Sequence, residues 1–547
     1  MVRRWIRAPS GLEEGRTEAR QNAGGSERTV IGWFGRLPLH PMLFAAYAVL
    51  FLYSVNLHEV LPVDAELPLA RFVVAAVALT LLVAIPLRSL RRGAVVASAG
   101  VVAFAAFGHV APLLANGGVD ERLQLVAWAG LVVAAIAYAI QARASLASVT
   151  AGLNAIACVL VVAVLATILP YEVGRAGRAP TGPVASVQAG STSTGRQPDI
   201  YFLIFDRYGS AEALQRRFGI TSDLYDWLRS QGFQVPAHSH ANYRATDFSL
   251  AATLNMRFLD DLTTTIGPDS GDRTPARAMI QENDVGRFLK ARGYRYYQLG
   301  SWFGPTRSVA IADENIAFGA TSEFESVLRD TTMLPALDRV FGTEPSQAAP
   351  LNVATDEGPP PDQPFRDRVR DGTLFELRQL ERVATAPGPK FVFAHVLLPH
   401  DPYVFRADGS VISESESRAT DEGKLYEGQL EFANRQIREI VGRLLSGPEE
   451  QRPVVIIEGD EGPLACRNTD CPSTTPDYLR LRLGNLVALY LPGVDEVVPD
   501  TFTSVNTFRL VFREYFGADL PALPDRSFTW PDDDHVYDFR DVTDALR

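Results

Sequence analysis

The sequence predicts an N-terminal all-α transmembrane bundle of about five helices, followed by an α/β domain with a mostly parallel central sheet. Three observations predict this. Apolar residues crowd into the first third of the 547-residue chain. Arginines mark alternate ends of those apolar stretches. Beyond residue 197, continuous apolar runs of strand length alternate with helical patterns, as in a parallel sheet covered on both faces.

A spanning helix needs about 20 mostly apolar residues. Pro41 to Val60, Leu69 to Leu87, Ala94 to Leu114, Leu123 to Ile140 and Ala147 to Leu169 qualify. The first starts late and has no small-residue cleavage site, so it reads as an anchor and not as a signal peptide. Arg3, Arg4, Arg7, Arg16, Arg20, Arg28 and Arg36 precede it; Arg88, Arg91, Arg92 and Arg143 fall in later loops on the same side. The opposite loops carry Asp64, Glu66, Asp120 and Glu121, with Arg71 and Arg122 as the basic counterweights. The positive-inside rule then places the N-terminus in the cytoplasm of an inner-membrane, multi-pass protein, with its C-terminal domain extracytoplasmic. The expected divisions are a cytoplasmic tail (1–37), the bundle (38–171), a Gly/Ser/Thr/Pro-rich linker (172–197) and the extracytoplasmic domain (198–547).

In that domain the strand-like runs are Tyr201 to Phe205, Phe391 to Val396, Val454 to Ile457 and Leu486 to Leu491. Helical patterns lie between them, such as Leu224 to Gln231 and Val285 to Arg292. Thr263 to Pro275 and the Pro-rich Thr343 to Pro364 read as surface loops. The net charge of −12 speaks against a nucleic-acid partner. A transporter is disfavoured because the spans lack ionisable residues at mid-depth. Nothing specifies an oligomer. Of three cysteines, Cys158 lies in an apolar run; Cys466 and Cys471 are close together in the exported part, where an oxidising compartment predicts a disulfide between them.

Open α/β sheets place their sites at the carboxyl ends of strands. The first run leads into Asp206, the second through His395 into Pro399-His400-Asp401-Pro402-Tyr403, and the third into Gly459-Asp460-Glu461-Gly462. Each alone reads equally well as a turn or a cap. Together they deliver carboxylates and imidazoles to one edge, a donor set for a divalent metal. Thr246 and Asp247 precede a helical segment running on from Ser249. Either is a good helix cap; a hydroxyl at a helix start beside a metal is also a candidate nucleophile.

These segments resemble the sulfatase-like membrane proteins of the alkaline phosphatase superfamily. Pro198 to Gly209 resembles their opening strand and metal-binding acid, and the Thr246 to Met256 segment their nucleophile helix. Leu397 to Tyr403 resembles their histidine loop, while Gly459 to Pro463 stands where they carry Asp-His-Gly. Ser504 to Arg509 and Leu523 to Ser527 are also similar. The likeness covers nearly all of residues 198–547, and five spans before such a domain resemble the layout of lipoteichoic acid synthases and phosphoethanolamine transferases. The resemblance implies one metal on Asp206, Thr246, Asp460 and the residue after Asp460. It also implies Thr246 as a nucleophile attacking phosphorus, His400 orienting substrate or protonating the leaving group, and substrate contacts from His395, His400 and Arg207. No Cys/Ser-x-Pro-x-Arg signature surrounds Thr246, so phosphate esters are expected over sulfate esters. Glu461 stands where the family carries His. As an oxygen ligand it would favour Mn or Mg over Zn. The expected function is a metal-dependent phosphotransferase or phosphodiesterase acting on envelope phospholipids or glycopolymers. The alternative is a degenerate, non-catalytic envelope protein with a binding or assembly role.

Overall fold

Among the described residues, four helices are long and apolar enough to cross a membrane, and a shorter apolar helix precedes them. The structure, a computed structural model, describes residues 37–142, 146–178, 197–319, 323–341, 365–463 and 475–546. The short helix is α1 (His40–Val55); the long ones are α2 (Pro62–Leu87), α3 (Leu90–Asn116), α4 (Glu121–Gln141) and α5 (Ala147–Arg178). At 1.5 Å per residue α1 is about 24 Å long, less than the hydrocarbon core of about 30 Å. The five expected spans are thus four full-length helices and one short one. Helix α5 runs to Arg178, into the stretch read as linker. Residues 179–196, the Pro-rich 342–364, and Cys466 with Cys471 lie outside the described residues.

The chain divides into two units. The first holds α1–α5, and also the chain from Phe324 through two short helices, α7 (Glu323–Asp330) and α8 (Leu334–Phe341). In this unit Asn154 of α5 caps α1: its Oδ1 accepts from the Leu39 and His40 N–H groups (3.0 and 2.8 Å). A polar side chain in an apolar helix is thereby satisfied, in place of the side-chain cap that α1 lacks. Ala336, Met333, Leu337 and Val340 pack with Phe107, Leu125 and Trp128. Between α7 and α8 the backbone pairs with α3: Gly108 N–H donates to Thr331 C=O (3.0 Å) and Met333 N–H to Phe104 C=O (2.9 Å).

The second unit is the α/β domain. Among the described residues its main sheet has six strands, β1 (Ile200–Phe205), β2 (Arg295–Gly300), β3 (Glu314–Ala317), β4 (Lys390–Val396), β5 (Val454–Glu458) and β6 (Val487–Tyr490), in the order β3-β2-β4-β1-β5-β6. All neighbours are parallel except β5 and β6. β1, β4 and β5 are buried along their whole length, as strands covered on both faces must be. Ile200, Phe202 and Ile204 pack on one side with α6 (Thr246–Asn255) and α12 (Thr507–Phe516). Tyr201, Leu203 and Phe205 pack on the other with α9 (Phe365–Ala384) and α10 (Glu422–Leu444). The fourth helix used below is α11 (Pro476–Leu483). The stretch from Thr263 to Pro275, expected to be a loop, is bounded by helices Asp260–Ile266 and Thr274–Gln281.

Candidate active site

β4, β1 and β5 are adjacent and parallel, so their carboxyl ends open on one edge. Asp206 N–H donates to Val396 C=O (3.0 Å), extending the β1–β4 ladder by one bond and fixing Asp206 at that edge. Arg207 then adopts a left-handed conformation, φ 60°, uncommon for a residue with a side chain. The turn points its N–H at Asp460 Oδ1 (3.2 Å). Gly459 permits the approach of the two strand ends: a Cβ there would stand 2.3 Å from the Tyr208 carbonyl oxygen. His395 lies opposite Ile204 in the β1–β4 register.

Asp206, His395 and Asp460 therefore meet, each offering one donor atom, all within 4.8 Å of one another. All three are buried, and Asp206 Oδ1, His395 Nε2 and Asp460 Oδ2 have no hydrogen-bond partner. Buried polar atoms are nearly always bonded, so three such atoms facing one point fit a divalent cation. The imidazole is oriented for this. Its Nδ1 meets Thr306 Oγ1 at 2.7 Å, and the Thr306 hydroxyl is directed at the Phe303 carbonyl (3.5 Å). With Nδ1 engaged by Thr306, Nε2 faces Asp206 Oδ2 at 3.3 Å.

The electrostatics agree. Burial pushes the Asp206 carboxyl up, but the imidazoles of His400 and His395 and the Arg207 guanidinium pull it well below the usual range. Burial, with the charges of Asp206 and Glu461, holds Asp460 well above it. Without a cation, one carboxylate of the pair keeps a proton.

Thr246 is the first residue of α6. The N-cap is Ala245, with no side-chain cap bond, so Thr246 is not the cap. Its hydroxyl instead opposes the rise of the Asp460 pKa, which sets it beside that carboxylate. Asp247 is buried between Arg273 and Arg277, at 3.3 Å from each. Glu461 does not join the group of three. Arg482 of α11 holds its Oε2 at 2.5 Å and Arg207 Nε approaches its Oε1 at 3.4 Å. Burial raises the Glu461 carboxyl, while Arg482 and Arg207 oppose the rise. The Arg207 guanidinium is also held by Asp401 (2.6 Å).

His400 Nδ1 donates to the Asp401 carbonyl, which leaves a lone pair on Nε2. Burial first, and Arg207 second, lower its pKa, so it is neutral at neutral pH. Gln429 of α10 fixes the loop: it donates to His400 C=O (2.7 Å) and accepts from Val404 and Phe405 N–H. Thr306, Asp401, Gln429 and Arg482 were not singled out from sequence. Asp401 lay within the histidine loop; the others stand in segments with no motif.

No protein-family model matches the chain, and no curated protein matches it. Among solved structures, the C-terminal periplasmic domain of EcEptC from Escherichia coli is similar over 62% of this chain and 92% of its own, with 11% identity and a TM-score of 0.37. The phosphonate monoester hydrolase of Agrobacterium radiobacter is similar over 61% of this chain and 80% of its own (12% identity, TM-score 0.37). A protein in the alkaline phosphatase superfamily from Vibrio parahaemolyticus is similar over 65% and 80% (11%, 0.36). At these values none of the likenesses bears on the role of any residue.

Proposed function

We propose that the chain is a membrane-anchored, metal-dependent phosphotransferase or phosphodiesterase of the sulfatase-like type, acting on extracytoplasmic lipids or glycopolymers. The observation that carries the reading is the meeting of Asp206, His395 and Asp460 with three orphaned, buried donor atoms, beside the hydroxyl of Thr246.

Asp206, His395 and Asp460 would hold a divalent ion, with the Thr246 hydroxyl beside them. When bound, it supplies the positive charge that acidifies a neighbouring hydroxyl and offsets negative charge on a phosphoryl group. The expected preference for Mn or Mg rested on oxygen-only ligation through Glu461. A nitrogen donor from His395 removes that ground and suits Zn equally. Thr246 Oγ is the nucleophile: its bond to phosphorus would form as the bond from phosphorus to the leaving alcohol breaks, its proton passing through neutral His400 to the leaving oxygen. Asp460, beside that hydroxyl, orients it. Neutral His400, with its Nε2 lone pair, takes the proton of the incoming water or alcohol in the second step. The proton it gains there goes to Thr246 Oγ as that oxygen leaves phosphorus, which restores both groups. Arg207, charged and pinned by Asp401 and Glu461, sets the electrostatic floor of the site.

The test is the purified protein in nanodiscs, assayed against a panel of lipid phosphodiesters with its metal content measured. Metal-dependent turnover that vanishes in Thr246→Ala supports the reading. A wild-type protein that holds no divalent ion at millimolar concentrations overturns it in favour of a non-catalytic envelope protein. The observation favouring that alternative is that the two arginines occupy the Glu461 carboxylate.

A further inference from the structure

Three features of the first unit converge on the residues between β3 and α9. The backbone of 331–333 bonds to α3 at Phe104 and Gly108, which lie one turn apart on that helix. Gly108 admits it: a Cβ there would stand 2.5 Å from the Asp330 carbonyl oxygen and 2.6 Å from Thr331. Arg71, in the third turn of α2, pairs with Glu325 of α7 at 2.5 Å. A charge inside an apolar helix thus has its countercharge on this segment.

The depth follows from helix geometry. Gly108 lies about 12 Å below the Asn116 end of α3, which is about 40 Å long. Centring that helix on a hydrocarbon core of about 30 Å leaves about 5 Å outside each face, and puts Gly108 about 7 Å inside it. Irregular backbone survives at such depth only where protein satisfies it, and here α3 does. Phe324, Leu328 and Ala336 are buried, Ala336 against Phe107 and Leu125 of the bundle, while Val327 is 44% exposed.

We propose that residues 323–341 form a re-entrant element, which enters the Asn116 half of the bilayer beside α3 and presents Val327 to phospholipid acyl chains. The proposal rests on the reading that α2–α5 cross a membrane; it does not depend on the catalytic assignment. α7 and α8 are amphipathic and too short to span, so they dip into one leaflet and return. The loop between them replaces the solvent it would need with the Phe104 carbonyl and the Gly108 amide.

The experiment uses the full chain in phosphatidylethanolamine/phosphatidylglycerol nanodiscs. Hydrogen exchange at the Met333 amide should be slowed at least about tenfold relative to a free peptide, the upper range for one net hydrogen bond. Gly108→Ala should abolish that protection while the α4 and α5 amides stay protected. Gly100→Ala in the same helix, whose Cβ meets only Leu79 at 3.6 Å, should leave it intact. In the same discs, p-benzoylphenylalanine replacing Val327 should crosslink to phospholipid, whereas the same probe replacing Val497, 82% exposed in the α/β unit, should not. An unprotected Met333 amide in wild type overturns the proposal, as does protection that survives in a folded Gly108→Ala, or lipid crosslinking no stronger at 327 than at 497. If Gly108→Ala does not fold, the wild-type exchange and the 327/497 comparison decide alone. Loss of turnover in Thr246→Ala bears only on the catalytic reading, so failure of either is seen separately.

Discussion

Asp460 carries the charge problem of the site. Its carboxyl is raised by burial and by the charges of Asp206 and Glu461, and Glu458, two residues earlier, is pushed up to about 7 by burial. Groups whose folded pKa exceeds the unfolded value stabilise the fold fully below the unfolded pKa, near 4 for carboxyls. They lose that contribution as pH rises through the folded pKa. Chelator-treated protein should therefore show a Tm that falls as pH rises from about 4 through 7 and beyond. A divalent ion competes with the Asp460 proton, so its affinity should increase over the same range. Calorimetry with and without the ion checks both; a metal affinity independent of pH would remove Asp460 from the ligand set. Thr246→Ala should abolish turnover with a stability loss of about 1 kcal/mol, since only one hydroxyl contact goes, and Thr246→Ser should retain part of the activity. Glu461→Gln leaves Arg482 and Arg207 without their shared countercharge, and should cost about 3 kcal/mol in denaturant melts. Asp206, His400 and Asp460 were legible because each follows an apolar strand-like run directly. The partners of Glu461 were not, because Arg482 comes from a separate helix and Arg207 turns inward only through its left-handed backbone.

At the scale of elements, β1, β4, β5 and the edge strand β6 were legible, whereas β2 and β3, at the other side of the sheet, were not named. β1, β4 and β5 are unbroken apolar runs, whereas β2 (Arg295-Tyr296-Tyr297-Gln298) and β3 (Glu314-Asn315-Ile316-Ala317) carry polar residues. That gap hid the short helix Gly304–Arg307 after β2, and with it Thr306, which engages Nδ1 of His395. Thr306→Val should weaken metal binding about 10-fold or more, the usual effect of losing an outer partner of a ligating histidine. Titration of the folded variant checks it, and unchanged affinity would show that β4 alone orients the imidazole. α7 and α8 were missed for a different reason: each has eight residues, too few for a span and too mixed for a strand.

For the whole molecule, the arginine asymmetry predicts that reporters fused after Gln197 are active only when exported. Activity of a cytoplasmic reporter there would reverse the orientation of α2–α5 and remove the proposed substrates from reach. The two-part layout was readable because membrane and soluble segments differ in bulk composition. The return of residues 324–341 to the helical unit was not, since it is specified by one glycine in α3 and one ion pair far apart in sequence. The pairing of Gly108 with Thr331 bears on how the protein is made. Chains emerge N-terminus first, so α3 is handed to the bilayer well before its backbone partner has been translated. The nascent bundle waits with Gly108 uncovered, and its contacts with residues 331 and 333 form only after β2 and β3 have left the ribosome. Maturation of the helical unit is thereby made contingent on synthesis of the chain that follows it, and a chain truncated before residue 323 would leave Gly108 uncovered.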